Sequence, residues 1–305
     1  MFKIFIDGGA GTTGLKIFDR LQTRKDLELI TLSDQFRKDL NARKDAINSA
    51  DVVFLCLPDD ASREAVSLIE NPSVKVIDTS TAFRTNDDWA YGFAELGFTK
   101  AIFNSKRVAN PGCHASGFLS LIKPLIDCNL LSPNAKLSCF SITGYTGGGK
   151  KMIAEYQPES ITEPLLAPRQ YGLTQKHKHL PEMTKISGLC SAPLFCPIVS
   201  SYACGMEVTV PLFASDLNGS VDLVKQAYKD LYNGEIVKYT EENEQGFLTA
   251  NAFSGKDGMQ ISVFGNEERI LLVSRFDNLG KGASGAAIQN LNILLGVDQT
   301  TGLIL

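Results

Sequence analysis

The run Lys3-Ile4-Phe5-Ile6-Asp7 is short, apolar and β-favouring, and Gly8-Gly9-Ala10-Gly11-Thr12-Thr13-Gly14 follows it directly. Leu15 to Leu21 then repeats with a helical period. Strand, glycine loop and helix, in that order, commit the first part of the chain to an α/β layer. Gly9, Gly11 and Gly14 fit G-x-G-x-x-G in the context the motif needs. Gly9 is expected to permit the sharp turn, Gly11 the approach of a pyrophosphate, and Gly14 the contact of helix on strand. Thr12 and Thr13 fall in the first helical turn, whose N-terminus would face the phosphates. The competing reading is a glycine-rich turn with no ligand.

The same rhythm continues. Leu27 to Leu32 reads as a second strand, whose end should meet the adenosine ribose. Ser33, Asp34, Arg37 and Lys38 stand there. A hydroxyl followed by two bases suggests room for a 2′-phosphate, hence NADP, while a solvated charged loop explains Arg37 and Lys38 as well. Ala50 to Pro58 is nearly all apolar, as a parallel strand buried on both faces requires, and a helix follows over about 61–70. Val74 to Asp78 is another such strand. Alternating strands and helices predict a Rossmann-type, doubly wound parallel sheet. Loops after its strands face the ligand crevice, which brings Pro58, Ser80 and Arg84 toward cofactor and substrate. Arg84 is a candidate anion clamp or a surface salt bridge.

Asn110-Pro111-Gly112-Cys113 forms a tight turn. After it, Phe118, Leu119, Leu121, Ile122, Leu125 and Ile126 recur at helical spacing, so a buried helix is predicted over Cys113–Asp127. Cys113 would then sit in the first turn, where free N–H groups and the helix dipole favour a thiolate. That is one way to place a nucleophile; the alternative is a small buried hydrophobe.

Past Pro133 the pattern changes to α+β. Leu137 to Thr143 alternates as a strand and ends in Gly144-Tyr145-Thr146-Gly147-Gly148-Gly149-Lys150-Lys151, read as a glycine-rich loop carrying two bases. Residues 156–175 read as irregular. His177 and His179 stand two apart and share a face if that segment is extended. Either could act as acid/base toward a thiol, or both could lie in an exposed basic segment. Strands are predicted over 198–201, 207–211, 247–253, 260–265 and 269–276, a helix over 221–232, and a last apolar helix over 286–295.

The totals exclude several classes. A net charge of −4 argues against a nucleic-acid surface. Seven cysteines without a C-x-x-C pair indicate a reducing, cytoplasmic setting with no disulfide framework, and no histidine is spaced with them as a zinc site would need. No run reaches membrane-span length. The expected partition is a dinucleotide-binding domain over 1–112, completed by 280–305, and a catalytic and oligomerisation domain over 113–279.

These segments together resemble N-acetyl-gamma-glutamyl-phosphate reductases, relatives of aspartate-semialdehyde dehydrogenases. The resemblance rests on Gly8 to Gly14, Asp78-Thr79-Ser80-Thr81-Ala82-Phe83-Arg84, Asn110-Pro111-Gly112-Cys113, His177-Lys178-His179-Leu180-Pro181-Glu182 and Asp277 to Ala283. It implies a Rossmann NADP domain, a second domain with substrate and dimer surfaces in a homodimer or homotetramer, and reduction of an acyl phosphate through a thioester on Cys113. His179, with His177 close behind, would be the acid/base. Arg84, Gly148, Gly149 and Lys150 would serve the phosphate and oxyanion. Asn278 would lie near the nicotinamide, with Ser116 and Gly117 assisting. Cys204 stands where longer members carry an arginine. An aspartate-semialdehyde dehydrogenase, and a dinucleotide-binding sensor without chemistry, are the alternatives.

Overall fold

The computed structural model of the chain describes residues 1–159 and 161–305. It divides into two units, Met1–Pro111 with Ala283–Leu303, and Gly112–Gly282 with Ile304–Leu305. In the first, short Val-, Ile- and Phe-rich runs form β1 (Phe2–Asp7), β2 (Leu27–Ile30), β3 (Val52–Leu55), β4 (Lys75–Asp78), β5 (Ala90–Tyr91) and β6 (Arg107–Ala109). They lie in the order β2-β1-β3-β4-β6-β5, and every adjacent pair is parallel. The helices between them are α1 (Thr12–Leu21), α2 (Leu40–Ser49), α3 (Asp59–Ser67) and α4 (Thr99–Asn104).

Alternate residues of each strand serve opposite faces. Ile4, Val52, Phe54, Ile77 and Val108 join Ile17 and Leu21 of α1 and Ile288 and Leu291 of the C-terminal helix Gly285–Leu295. Phe5, Val53, Leu55 and Val76 join Ala46 and Ile47 of α2 and Ala65 of α3. The strand order reverses direction between β1 and β3, which opens a crevice at their carboxyl ends.

The second unit begins with α5 (Cys113–Asp127), followed by β7 (Ser138–Gly144), α6 (Gly149–Glu155), α7 (Glu163–Leu166), β8 (Arg169–Gln170), α8 (Leu180–Ser187), β9 (Leu194–Ser200), β10 (Met206–Phe213), α9 (Val221–Leu231), β11 (Val237–Tyr239), β12 (Met259–Gly265) and β13 (Arg269–Phe276). The strands make one mixed sheet, β11-β12-β13-β10-β7-β9-β8. α5 packs on β10, β13, α8 and α9. Gly117 makes that approach possible: a Cβ there would fall 2.3 Å from Val208 Cγ2. Pro124 lies in the last turn of α5 and has no N–H for the carbonyl of Ser120. Tyr232 supplies the missing donor at 2.7 Å, and Tyr228 donates to the next carbonyl, that of Leu121.

Several expectations are corrected. Residues 247–253 form no strand: the mostly exposed Phe247 makes only an isolated bridge to Glu244 across the tight turn at Gln245 and Gly246, and residues 250–253 are turn. The glycine-rich segment after β7 is helical: a 3₁₀ turn over Tyr145–Gly148 runs into α6, so Lys150 and Lys151 occupy a helix's first turn. The segment 156–175 contains α7 and β8. α2 escapes the sequence pattern because its buried face is only Arg43, Ala46 and Ile47.

Candidate active site

At the carboxyl ends of β1, β2 and β3 the first unit holds a cleft of about 640 Å³. Gly9, Gly11, Pro58, Arg37, Lys38 and the buried Arg43 are among its lining residues. The left-handed turn residue is Gly8 (φ +85°), not Gly9; a Cβ on Gly8 would sit 2.3 Å from the carbonyl oxygen of Cys56. Gly14 packs as expected, since a Cβ there would lie 2.6 Å from the carbonyl oxygen of Gly8. Gly11 caps α1 with no side-chain hydrogen bond, which leaves first-turn N–H groups, including those of Thr12 and Thr13, for an anion. A cleft lined by a glycine loop and cations, beside uncapped helix N–H groups, fits a dinucleotide carrying an extra phosphate.

Arg43, from the unforeseen α2, pairs with Asp7 at 3.0 Å and Glu64 at 2.7 Å. Burial lifts Asp7 above the ordinary carboxylate range against the pull of Arg43. Arg37 pairs with Asp34 at 3.3 Å on the surface. Ser33 gives its carbonyl to the N–H groups of Phe36 and Arg37 and does not line the cleft.

Two further residues expected near the ligands make hydrogen bonds within the protein. Ser80 is buried, donates to Asp78 at 2.7 Å and accepts the N–H of Ala82, closing the turn after β4. Arg84 is buried and donates to the carbonyls of Asn110 and Thr79, both at 2.9 Å. It braces the segment that leads into Cys113, which is not the tight turn expected: residues 110–112 form no turn and Gly112 is extended (φ −82°, ψ 145°). Asn110 binds the carbonyl of Ala283 and the amide of Asn290, both at 3.0 Å.

In the second unit Cys113 is the first residue of α5, and Gly112 before it offers no side-chain cap. The Cys113 side chain is half-buried. Glu182, buried in the first turn of α8, accepts the N–H of Gly112 at 2.9 Å. His179 precedes α8 as its cap residue. His177 and His179 come together through a turn, with ring centroids 4.8 Å apart. His114 lies 5.6 Å from each. Every histidine of the chain is thus in one cluster beside Cys113.

His114 is buried between Ser141 Oγ (2.6 Å from Nδ1) and Tyr171 OH (2.6 Å from Nε2). Phe195 packs on His114 and His177 at 5.2 and 5.1 Å. Burial, then His177 and Lys178, push His114 down to about 3; burial and Lys178 push His177 down to about 4. Both rings are neutral near pH 7. The backbone N–H of His179 donates to His177 Nδ1 at 3.2 Å, which assigns that ring's proton to Nε2.

Asn278 is buried, accepts from the N–H of Gly205 at 2.9 Å and donates to Thr146 at 3.1 Å. Thr146 Oγ1 also meets Cys204 Sγ at 3.3 Å. Asn278 therefore ties the entrance of β10 to the turn that carries Gly147 and Gly148. Gly149 (φ +71°) and exposed Lys150 open α6 beyond it. Ser116 is buried with no hydrogen-bond partner for its hydroxyl among the described residues, and Gly117 faces Val208 in the packing of α5. His114, Ser141 and Tyr171 were not anticipated; the one local signal was a histidine directly after the cysteine. Among the described residues no helix is long and apolar enough to cross a membrane, and no group of His, Cys, Asp or Glu is placed to hold a metal ion.

Two family models match. Residues 3–104 match the semialdehyde dehydrogenase NAD binding domain, and residues 113–278 the semialdehyde dehydrogenase dimerisation domain. The N-acetyl-gamma-glutamyl-phosphate reductase of Brucella ovis is 46% identical, over 96% of this chain and 99% of its own. That of Brucella anthropi is 47% identical, over 96% and 98%. Among solved structures, aspartate semialdehyde dehydrogenase II from Vibrio cholerae superposes with a TM-score of 0.72 at 17% identity, over 97% of this chain and 99% of its own. The Francisella tularensis enzyme gives 0.71 at 16%, over 97% and 100%. These structures share the fold; the sequence relatives are much nearer. The chain belongs to the semialdehyde dehydrogenase family, on its N-acetyl-gamma-glutamyl-phosphate reductase branch.

Proposed function

We propose that this chain reduces N-acetyl-glutamyl phosphate with NADPH to N-acetylglutamate semialdehyde and phosphate, a step of arginine biosynthesis. The observation that carries the reading is Cys113 at the uncapped start of α5, flanked by Glu182 on Gly112 and by three imidazoles.

The thiolate attacks the acyl carbon; the S–C bond forms, the C–O bond breaks, and phosphate leaves with the electron pair. When bound, the dinucleotide supplies a hydride for the thioester carbon. The alkoxide held on Cys113 then collapses, the C–S bond breaks, and aldehyde leaves the regenerated thiolate. His179 takes the thiol proton at the outset and, as imidazolium, steadies the oxyanion of each tetrahedral stage. His177, neutral and carrying its proton on Nε2, is a donor for substrate oxygens. Gly148, Gly149 and Lys150 supply further donors for the phosphate. Arg84 holds the backbone that leads into Cys113. Gly9, Gly11, Thr12, Thr13, Pro58, Arg37 and Lys38 hold the NADP, and Asn278 fixes the turn after β7.

We place the enzyme in the reducing cytoplasm, which suits its free cysteines. A homodimer is supported by the open face of the mixed sheet, where the strand registers put exposed Phe140, Leu194, Phe213 and Leu271 on one side. The deciding assay runs the reaction backward: N-acetylglutamate semialdehyde, phosphate and NADP should yield NADPH, and aspartate semialdehyde should not. The opposite preference would overturn the reading.

A further inference from the structure

The Ser141–His114–Tyr171 chain has no part in the mechanism above, although it adjoins the reacting sulfur. Ser141 is fully buried in β7, and among the described residues His114 Nδ1 is the one hydrogen-bond partner of its hydroxyl. Buried hydroxyls overwhelmingly find a partner, and the one within reach of the Ser141 hydroxyl is His114 Nδ1. Ser141 therefore donates to Nδ1, and the ring, being neutral, carries its proton on Nε2. That proton points at the Tyr171 oxygen 2.6 Å away. Tyr171 is thereby the acceptor from His114, and its own O–H is released for another group. Tyr171 lies close enough to Cys113 that a charge on the sulfur adds to burial in holding the phenol un-ionised.

We infer that His114, its tautomer set by Ser141, positions the Tyr171 hydroxyl as a hydrogen-bond donor to the Cys113 sulfur. The inference rests on the reading of Cys113 as nucleophile and deepens it. His114 and Ser141 are positioning residues; of the three, Tyr171 is the one assigned to reach the sulfur. A neutral donor aimed at a thiolate stabilises it without adding a charge. The opposite tautomer would leave the Ser141 hydrogen without an acceptor and would spend the Tyr171 O–H on His114.

The groups facing His114 are the imidazoles of His177 and His179, the Tyr171 phenol, Ser141 and Phe195. Lys178 acts on it at longer range, and Glu182 sits at Gly112. None of these reverses the assignment, because Ser141 is the sole partner of Nδ1.

Nitrogen NMR of the full-length protein at neutral pH should find His114 protonated at Nε2 and bare at Nδ1. Iodoacetamide labelling of Cys113, followed by peptide mass spectrometry across pH, reads the second half. Tyr171→Phe and Ser141→Ala should each move the labelling midpoint up by about one pH unit, slowing modification at pH 7 about tenfold. Ser141→Thr should restore the wild-type profile. A proton on Nδ1 in the unaltered chain, a Tyr171→Phe profile that coincides with wild type, or failure of Ser141→Thr to rescue would each overturn the inference. The NMR result stands even if Ser141→Ala does not fold. Neither readout needs turnover, so a chain inert toward the acyl phosphate but showing both signatures would keep this inference and lose only the proposed reaction.

Discussion

The carboxylate of Glu182 accepts the backbone N–H of Gly112 at 2.9 Å, at a point where both residues are buried. This bond pins the first turn of α8 to the entrance of α5, and so holds His179 near Cys113. Glu182→Ala would leave that N–H buried and unsatisfied, at a cost of roughly 1–3 kcal/mol. Glu182→Gln keeps an acceptor and should lose less than half as much. Thermal unfolding of the two variants checks the order; equal losses would show that the bond is not what matters there.

Cys113→Ser exchanges the nucleophile for one that is protonated at neutral pH. Turnover should fall by at least ~10³-fold. NADPH binding, followed by cofactor fluorescence, should change less than about twofold, because the glycine cleft belongs to the other unit. Retained turnover would remove the thioester from the mechanism.

His114 and His177 are held neutral, at about 3 and about 4, against an unfolded value near 6.5. Between pH 6.5 and 4 the unfolded chain therefore binds more protons than the folded one. Stability is complete above pH 6.5 and falls as pH drops, by up to about 1.4 kcal/mol per pH unit for buried His114 and by less for His177, whose partial exposure screens it. Melting temperature measured from pH 7.5 to 5 should decline below 6.5, and His177→Asn should flatten the slope by less than half. A melting temperature level down to pH 5 would contradict the buried, neutral assignment.

Arg37 and Lys38 line the cleft, and the pairing of Arg37 with Asp34 is exposed. Exposed pairs contribute little, so the guanidinium is available to a 2′-phosphate. Arg37→Ala with Lys38→Ala should raise KM for NADP about tenfold or more and leave KM for NAD within about twofold. Equal effects on both cofactors would make these residues a plain solvated loop.

The parallel half was legible because its signals are local. The glycine loop follows β1 within one stretch, and β3 is apolar on both faces, as only a covered strand is. α5 was legible from its apolar spacing alone. What escaped depends on distant partners. His114 gains meaning from Ser141 and Tyr171, which stand 27 and 57 residues away. Arg84 looked like a ligand clamp because its carbonyl acceptors leave no mark in side-chain pattern. That Gly8 rather than Gly9 takes the left-handed turn, and that the Cys56 carbonyl just past β3 leaves no room for a side chain there, is set by a strand about fifty residues on.

Pro124 and Tyr232 are joined through the carbonyl of Ser120. A proline in the last turn of α5 removes the N–H that would bond this carbonyl, and the Tyr232 hydroxyl replaces it at 2.7 Å in a dry interior. Tyr232→Phe strands a buried acceptor and should cost roughly 1–3 kcal/mol. In a Pro124→Ala background the new amide reaches Ser120, and the same substitution should cost about 1 kcal/mol less. The double-mutant cycle therefore has a coupling energy of favourable sign. Strict additivity would mean that the hydroxyl is not standing in for the missing amide.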